Sequence, residues 1–173
     1  MINIFRKISN TLSFRKLKKN YNYNFFVEDQ NNKFKLLGFD RKQALEKLSK
    51  IKKKYDFLNR KMSTEHETLF SALSNKIDAH KIEILEIGTF DGANSFLLSL
   101  LFQNSNITTV DLPDDNEEFA KTYGRQKDYN QFIQKRDEIL SKGKNIRFLK
   151  TNSINLIKSK KKFDIIWIDG AHG

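Results

Sequence analysis

Apolar residues recur at helical spacing in some stretches of the chain and run almost unbroken in others. Ala44, Leu45, Leu48, Ile51 and Tyr55 predict a helix from Arg41, behind Asp40 as N-cap, to about Leu58. Leu69, Phe70, Leu73 and Ile77 predict a second, starting near Ser63, where Thr64 and Glu67 have the spacing of a capping box. Phe132, Ile133, Ile139 and Leu140 predict a third inside the long connection Pro113 to Asn145. Strand-like runs lie at Ile82 to Ile87, Ile107 to Leu112, Ile146 to Ser153 and Phe163 to Ile168. Such alternation of strands and helices predicts an α/β chain with a parallel sheet. The core of the fourth run, Ile165 to Ile168, suits a strand buried on both faces. Near the N-terminus, Phe25-Phe-Val and Lys35-Leu-Leu are expected to pair as short strands across Asp29 to Asn32, after a weakly ordered start.

The first strand run leads into chemistry. Ile84-Leu-Glu-Ile-Gly-Thr-Phe-Asp-Gly-Ala-Asn-Ser-Phe96 places an apolar strand, a glycine turn and a helix start in succession, which is how an open α/β sheet builds a small-molecule site. Gly88 opens the turn, and Gly92 removes a Cβ where the chain must pass close to a ligand. Asn94 and Ser95 are placed to bond the free N–H groups of the helix that follows. A dinucleotide fingerprint would need glycine at position 90, which is Phe90. That argues against a nicotinamide-dependent oxidoreductase, because a pyrophosphate needs the backbone very close at that point.

The spacing Glu86-x-Gly88-x-x-x-Gly92 resembles motif I of the class I S-adenosylmethionine-dependent methyltransferases, in the branch that reads Glu-Ile-Gly-Thr-Phe-x-Gly. The second run closes on Asp111 and Leu112, where the resemblance implies a carboxylate accepting both ribose hydroxyls. In the third, Thr151, Asn152 and Ser153 stand where the family often writes Gly-Asp-Ser, and the Asn152 carbonyl can take the hydrogen bond that the family's Asp receives from the adenine amino group. The fourth, Phe163-Asp-Ile-Ile-Trp-Ile-Asp-Gly-Ala-His172, resembles motif IV with its Asp-Gly-x-His ending.

The resemblance covers roughly residues 63 to 173 and implies a Rossmann-like, doubly wound parallel sheet. It implies S-adenosylmethionine as cofactor, held by Glu86, Gly88, Thr89, Phe90, Gly92, Ser95, Asp111, Leu112, Asn152 and Ser153. Asp169 and His172 would serve the reaction, His172 as a general base and Asp169 near the transferred methyl group or, as in a metal-dependent subset, on a divalent cation. The implied activity is methylation of an oxygen or nitrogen of a small molecule or sugar. Glu65 or His66, at the start of the helix before the first strand, would lie beside the ligand, and Tyr123 and Arg125 in the long connection are candidate lid residues. The family's sheet has seven strands in the order 3-2-1-4-5-7-6, of which four are present. The chain is therefore expected to be truncated after strand four, or to need a partner or self-association covering residues 163 to 168. The alternative is a non-catalytic cofactor-binding or assembly module of the same fold.

Composition adds bounds. The 173 residues suit one domain, 63–173, with an N-terminal extension, 1–62. There is no cysteine, so disulfides and thiolate metal sites are excluded, and a cytoplasmic location is compatible. No apolar run approaches the ~20 residues of a membrane span, and Met1 to Ile8 lacks the features of a secretory signal. Residues 1–61 carry 17 Lys and Arg against 5 Asp and Glu, and residues 62–173 carry 15 against 16. The whole net charge of +11 is thus N-terminal. Residues 1–19 could meet nucleic acid or an anionic membrane as a basic amphipathic arm, but a solvated tail is the expected reading.

Overall fold

The computed structural model describes residues 23–60, 64–77, 80–122 and 128–170. The basic arm 1–19, Ser63, Tyr123, Arg125 and His172 lie outside the described residues. The chain divides into two units, Met1–Lys42 and Gln43–Gly173.

In the first unit a helix, α1 (Tyr23–Leu36), replaces the expected pair of short strands. The polar stretch Asp29 to Asn32 continues the helix, supported by the pair Asp29–Lys33 at 2.7 Å one turn apart. The turn comes later, at Gly38, whose φ is 72°. There the Phe39 N–H bonds the Phe34 carbonyl and the Gly38 N–H bonds the Lys35 carbonyl, while the rings of Phe34 and Phe39 meet edge to face at 6.4 Å. These two bonds and the ring contact are a Schellman ending, and glycine is its usual left-handed residue.

α2 (Arg41–Lys54) follows, then a 3-10 turn at Asp56–Leu58, slightly shorter than the single helix expected. Within the second unit, Leu48 and Leu58 are buried in the core, and the Ser71 hydroxyl bonds the Ala44 carbonyl at 2.8 Å. α3 (His66–Ile77) begins without the capping box: the Thr64 hydroxyl meets Nδ1 of His66, and Glu67 pairs with Lys52 at 2.5 Å. A charged partner on α2 outcompetes a backbone N–H for the Glu67 carboxylate.

The strands are β1 (Glu83–Ile87), β2 (Asn106–Asp111), β3 (Ile146–Lys150) and β4 (Ile165–Ile168), all parallel in the order β3-β2-β1-β4. Between them lie α4 (Ala93–Leu101), α5 (Glu117–Lys121), α6 (Tyr129–Ser141) and a 3-10 turn, Ser153–Lys158. This is the Rossmann-like α/β arrangement expected of the first four strands. The core joins Phe96, Leu97, Leu98 and Leu101 of α4 to Ile84, Ile107, Phe70 and Leu48. Paired residues of a parallel ladder share a face, so Glu86, Thr109 and Trp167 line up on one side of the sheet. There Trp167 meets Phe70 of α3 edge to face at 5.3 Å.

β4 is not buried on both faces as expected. Ile165 and Trp167 turn inward, but Ile166 and Ile168 are 56% and 64% exposed. The helices α3 and α4 cover the side to which Trp167 points, and among the described residues nothing covers the other side of this edge strand.

Gly88 sets the close approach between β1 and β4. Its φ is 102°, and a Cβ built there would lie 2.6 Å from the Asp169 carbonyl carbon. Gly170 has open space around the same position. Gly88→Ala is therefore expected to destabilise the chain by at least ~2 kcal/mol, whereas Gly170→Ala changes little. Urea unfolding of both variants checks the contrast.

Candidate functional site

All four strands end at one edge of the sheet, and a cavity of about 580 Å³ opens there. From β3 come Thr151, Asn152 and Ser153; from β2, Val110, Asp111 and Leu112. From β1 come Ile87, Gly88 and Phe90, and from β4, Asp169 and Gly170. Phe119 and Thr122, in and just after α5, form the remaining wall. The volume lies within the range of small-ligand sites, and the position, outside the carboxyl ends of parallel strands, is where open α/β sheets bind.

Asp111 is fixed in place from two sides. Its Oδ2 accepts the Phe90 N–H at 3.0 Å and its Oδ1 accepts the Leu112 N–H at 2.9 Å. A carboxylate has about four lone-pair positions, so each oxygen retains capacity for a ligand hydroxyl. Phe90 carries the turn with φ 49°, an uncommon value for a residue with a side chain. Its ring packs against Phe132 of α6 at 5.5 Å. Asn152 lines the cavity while its Oδ1 caps the following 3-10 turn, accepting the Ile154 N–H at 3.0 Å. Asp169 is anchored through its own N–H to the Ile87 carbonyl at 2.8 Å.

Of the residues expected to hold a cofactor, Gly88, Phe90, Asp111, Leu112, Asn152 and Ser153 line this cavity together with Asp169. Glu86, Thr89, Gly92 and Ser95 lie behind it. Glu86 is 1% exposed and takes hydrogen bonds from Asn94 at 2.7 Å, from Thr109 at 2.6 Å and from Ser95. Thr89 is joined to Thr109 at 2.7 Å. The Asn94 and Ser95 side chains thus serve Glu86 instead of capping α4; the nearby cap is Asp91, whose Oδ1 accepts the Ala93 N–H at 3.2 Å. Gly92, with φ 77°, makes room for α6: a Cβ would sit 3.0 Å from the Leu140 side chain.

Among the described residues no group of three or more His, Cys, Asp or Glu is gathered around Asp169 or elsewhere to hold an ion. Among these residues no helix is long and apolar enough to cross a membrane.

From the long connection the sequence names Tyr123 and Arg125, which lie outside the described residues, and misses the buried clamp behind the cavity wall. Arg136 of α6 is fully buried; it bonds Asp114 at 2.8 and 3.2 Å and Asp137 at 2.8 Å, and lies over the Phe148 ring at 4.7 Å. Lys150, at the end of β3, also pairs with Asp114 at 2.5 Å. Burial opposes ionisation of Asp114, but the bonds from Arg136 and Lys150 outweigh it and hold the carboxyl below the usual range. The clamp fastens Asp114, just beyond β2, to α6 and β3, and α6 in turn presents Phe132 to both Phe90 and Phe119. The only trace in the sequence is a lone aromatic, Phe119, in an otherwise charged segment.

No family model matches the sequence, and no curated protein is similar to it at sequence level. Solved structures similar in fold include the methyltransferase PaMTH1 of Podospora anserina bound to S-adenosylhomocysteine, with 19% identity over 63% of this chain and 42% of that one, TM-score 0.42. Another is the O-methyltransferase TomG of Streptomyces achromogenes in complex with S-adenosylmethionine, with 16% identity over 82% of this chain and 60% of that one, TM-score 0.41. The chain thus spans 42% and 60% of the lengths of these two proteins.

Glu86 gives the site a pH dependence. Burial pushes its carboxyl up to about 7, against the bonds from Ser95, Thr109 and Asn94. The folded chain then keeps a proton that the unfolded chain, with an ordinary value of ~4.3, releases. The contribution to stability is full below pH ~4.3 and is lost as the pH rises to ~7, a change of order 3 kcal/mol. Glu86→Gln is expected to remove this decline, so that urea midpoints at about pH 5 and pH 8 differ less in the variant than in the parent.

Proposed function

We propose that this chain binds S-adenosylmethionine and belongs to a methyltransferase that acts on an oxygen or nitrogen of a small molecule or sugar. The observation that carries the reading is Asp111, a carboxylate at the end of β2 held by two backbone N–H groups and facing a cavity that Asn152 and Gly88 share. A pair of vicinal ribose hydroxyls is the natural donor set for such a carboxylate. Asn152 sits at the β3 side, where the second lone pair of its carbonyl or its amide N–H can meet a nucleobase edge. Phe119 and Leu112 supply apolar walls for a flat base.

Phe90 favours this cofactor over a dinucleotide. Its side chain stands in the cavity at the turn, where a pyrophosphate would need bare backbone. When bound, S-adenosylmethionine supplies an electrophilic methyl group on a sulfonium, open to in-line displacement. With the nucleoside held by β2 and β3, the amino-acid end falls to β1 and β4, beside Gly88, Asp169 and Gly170. The residues of the chain then contribute chiefly by placement: Asp111 fixes the nucleoside, and Gly88 lets β1 and β4 close together so that Asp169 stands at the methyl end.

Calorimetric titration with S-adenosylhomocysteine tests the reading. Saturable binding is expected, weakened more than about tenfold in Asp111→Ala, which loses charge-assisted bonds to both hydroxyls, and less in Asp111→Asn. NAD is expected not to bind. Equal affinity in the parent and in Asp111→Ala would overturn it.

A further inference from the structure

Resting on that reading, the β4 end of the cavity holds one group that the site so far leaves unused. We propose that His66 stands at the sulfonium end of the site, positioned to take the proton from the methyl acceptor. His66 is the first residue of α3, which runs against the strands, so it stands at the edge of the sheet where the cavity opens. Its ring stacks on Trp167 of β4, with centroids 5.1 Å apart and planes 20° apart, and meets Phe70 edge to face at 5.9 Å. Asp169 follows the end of β4, two residues after Trp167; it lines the cavity, and its carboxylate is among the charges that act on the His66 ring. His66 therefore flanks the reactive end of the cavity without lining the cofactor's own space. An acceptor must approach the methyl group from outside that space, on the far side from sulfur, and its base has to stand there too.

Among the described residues, the charged and polar groups that act on the ring come from three elements. From its own segment come Thr64, whose hydroxyl meets Nδ1, and Glu67; from α2, Lys52; and from β4, Asp169. Burial against the two aromatic rings is the largest influence and holds the imidazole below its ordinary value, while Glu67 and Asp169 act in the opposite direction and Lys52 adds to the lowering. The lowering favours the neutral ring, and in the tautomer whose Nδ1–H donates to the Thr64 hydroxyl, Nε2 is the proton acceptor. In the transfer step, His66 Nε2 takes the hydroxyl or amine proton of the acceptor while the acceptor's lone pair bonds the methyl carbon and sulfur keeps the electron pair of the broken bond. Asp169 and Glu67 then balance the imidazolium charge.

The test needs no known acceptor. The chain has three histidines, so the ring signals can be followed by NMR titration and His66 assigned by the loss of one signal in His66→Gln. S-adenosylmethionine and S-adenosylhomocysteine differ by one methyl group and one positive charge, so the pair reports whether the imidazole lies near sulfur. The midpoint of His66 is expected to lie below ~6.5 in the free chain and to be lower with S-adenosylmethionine than with S-adenosylhomocysteine by about half a pH unit or more. Binding of both cofactors with identical His66 midpoints would overturn the inference and leave the cofactor reading intact. Binding of neither would overturn both.

Discussion

Glu86 is enclosed at the end of β1, and both of its oxygens are spoken for by neutral donors from β2 and α4. No cation accompanies it among the bonds that it makes. A buried carboxylate without a counter-charge is expensive to ionise, so burial raises this group to about 7 and it gives up its proton only around neutral pH. The cost is tolerated because these bonds tie together the three pieces that create the site. Asn94 and Ser95 belong to the first turn of α4, and Thr109 lies opposite Glu86 in the β1–β2 ladder. With Glu86 anchored, both ends of the turn from Gly88 to Gly92 are fixed, one on β1 and the other on the first turn of α4. That path carries the Phe90 N–H onto Asp111. The carboxylate that faces the cavity is thus oriented by a turn that is itself oriented by the carboxylate that does not.

This separation explains why the motif was easy to find and its residues harder to assign. The glycine turn and the acidic ends of β1, β2 and β4 were legible, because strand-like apolar runs and turn glycines are local signals, whereas the strand order came from the resemblance alone. Which polar residues look outward was not. Thr89 and Ser95 are as polar as Asn152 and Ser153, yet the first two are buried and the latter two line the cavity. The difference depends on which face of the sheet each residue takes and on where α4 sits, and both are tertiary facts. Gly92 shows the same limit: a glycine marks a close approach, but the sequence cannot say whether the neighbour is a ligand or, as here, Leu140.

The errors at the ends of elements have a related origin. α1 was read as two strands because its aromatic and branched residues have strand propensity, which is weak beside a helix closed by a left-handed glycine. Thr64 and Glu67 have capping-box spacing, but each finds a stronger partner, His66 and Lys52. β4 reads as a doubly buried strand from four consecutive apolar residues, and only alternate ones are inside.

The connection between β2 and β3 walls one side of the cavity, and its position depends on how it is braced. Phe119 and Thr122 are its members on the cavity wall, and an isolated five-residue helix could not hold a wall in place. Arg136 makes that possible. Its guanidinium bridges Asp114 and Asp137 while lying on the face of Phe148, and Lys150 completes the charge balance. A single buried cation with two carboxylates and an aromatic face is held in one orientation, since any rotation would strand a charge in a dry environment. The α6 helix is therefore pinned to β3, Phe132 is pinned with it, and the rings of Phe90 and Phe119 rest on Phe132. The left-handed backbone at Phe90 costs some stability, and the tilted ring contact with Phe132 of α6 offsets part of that cost. A flat base entering between Leu112 and Phe119 would thus meet a wall already in position, so little ordering would remain to oppose binding.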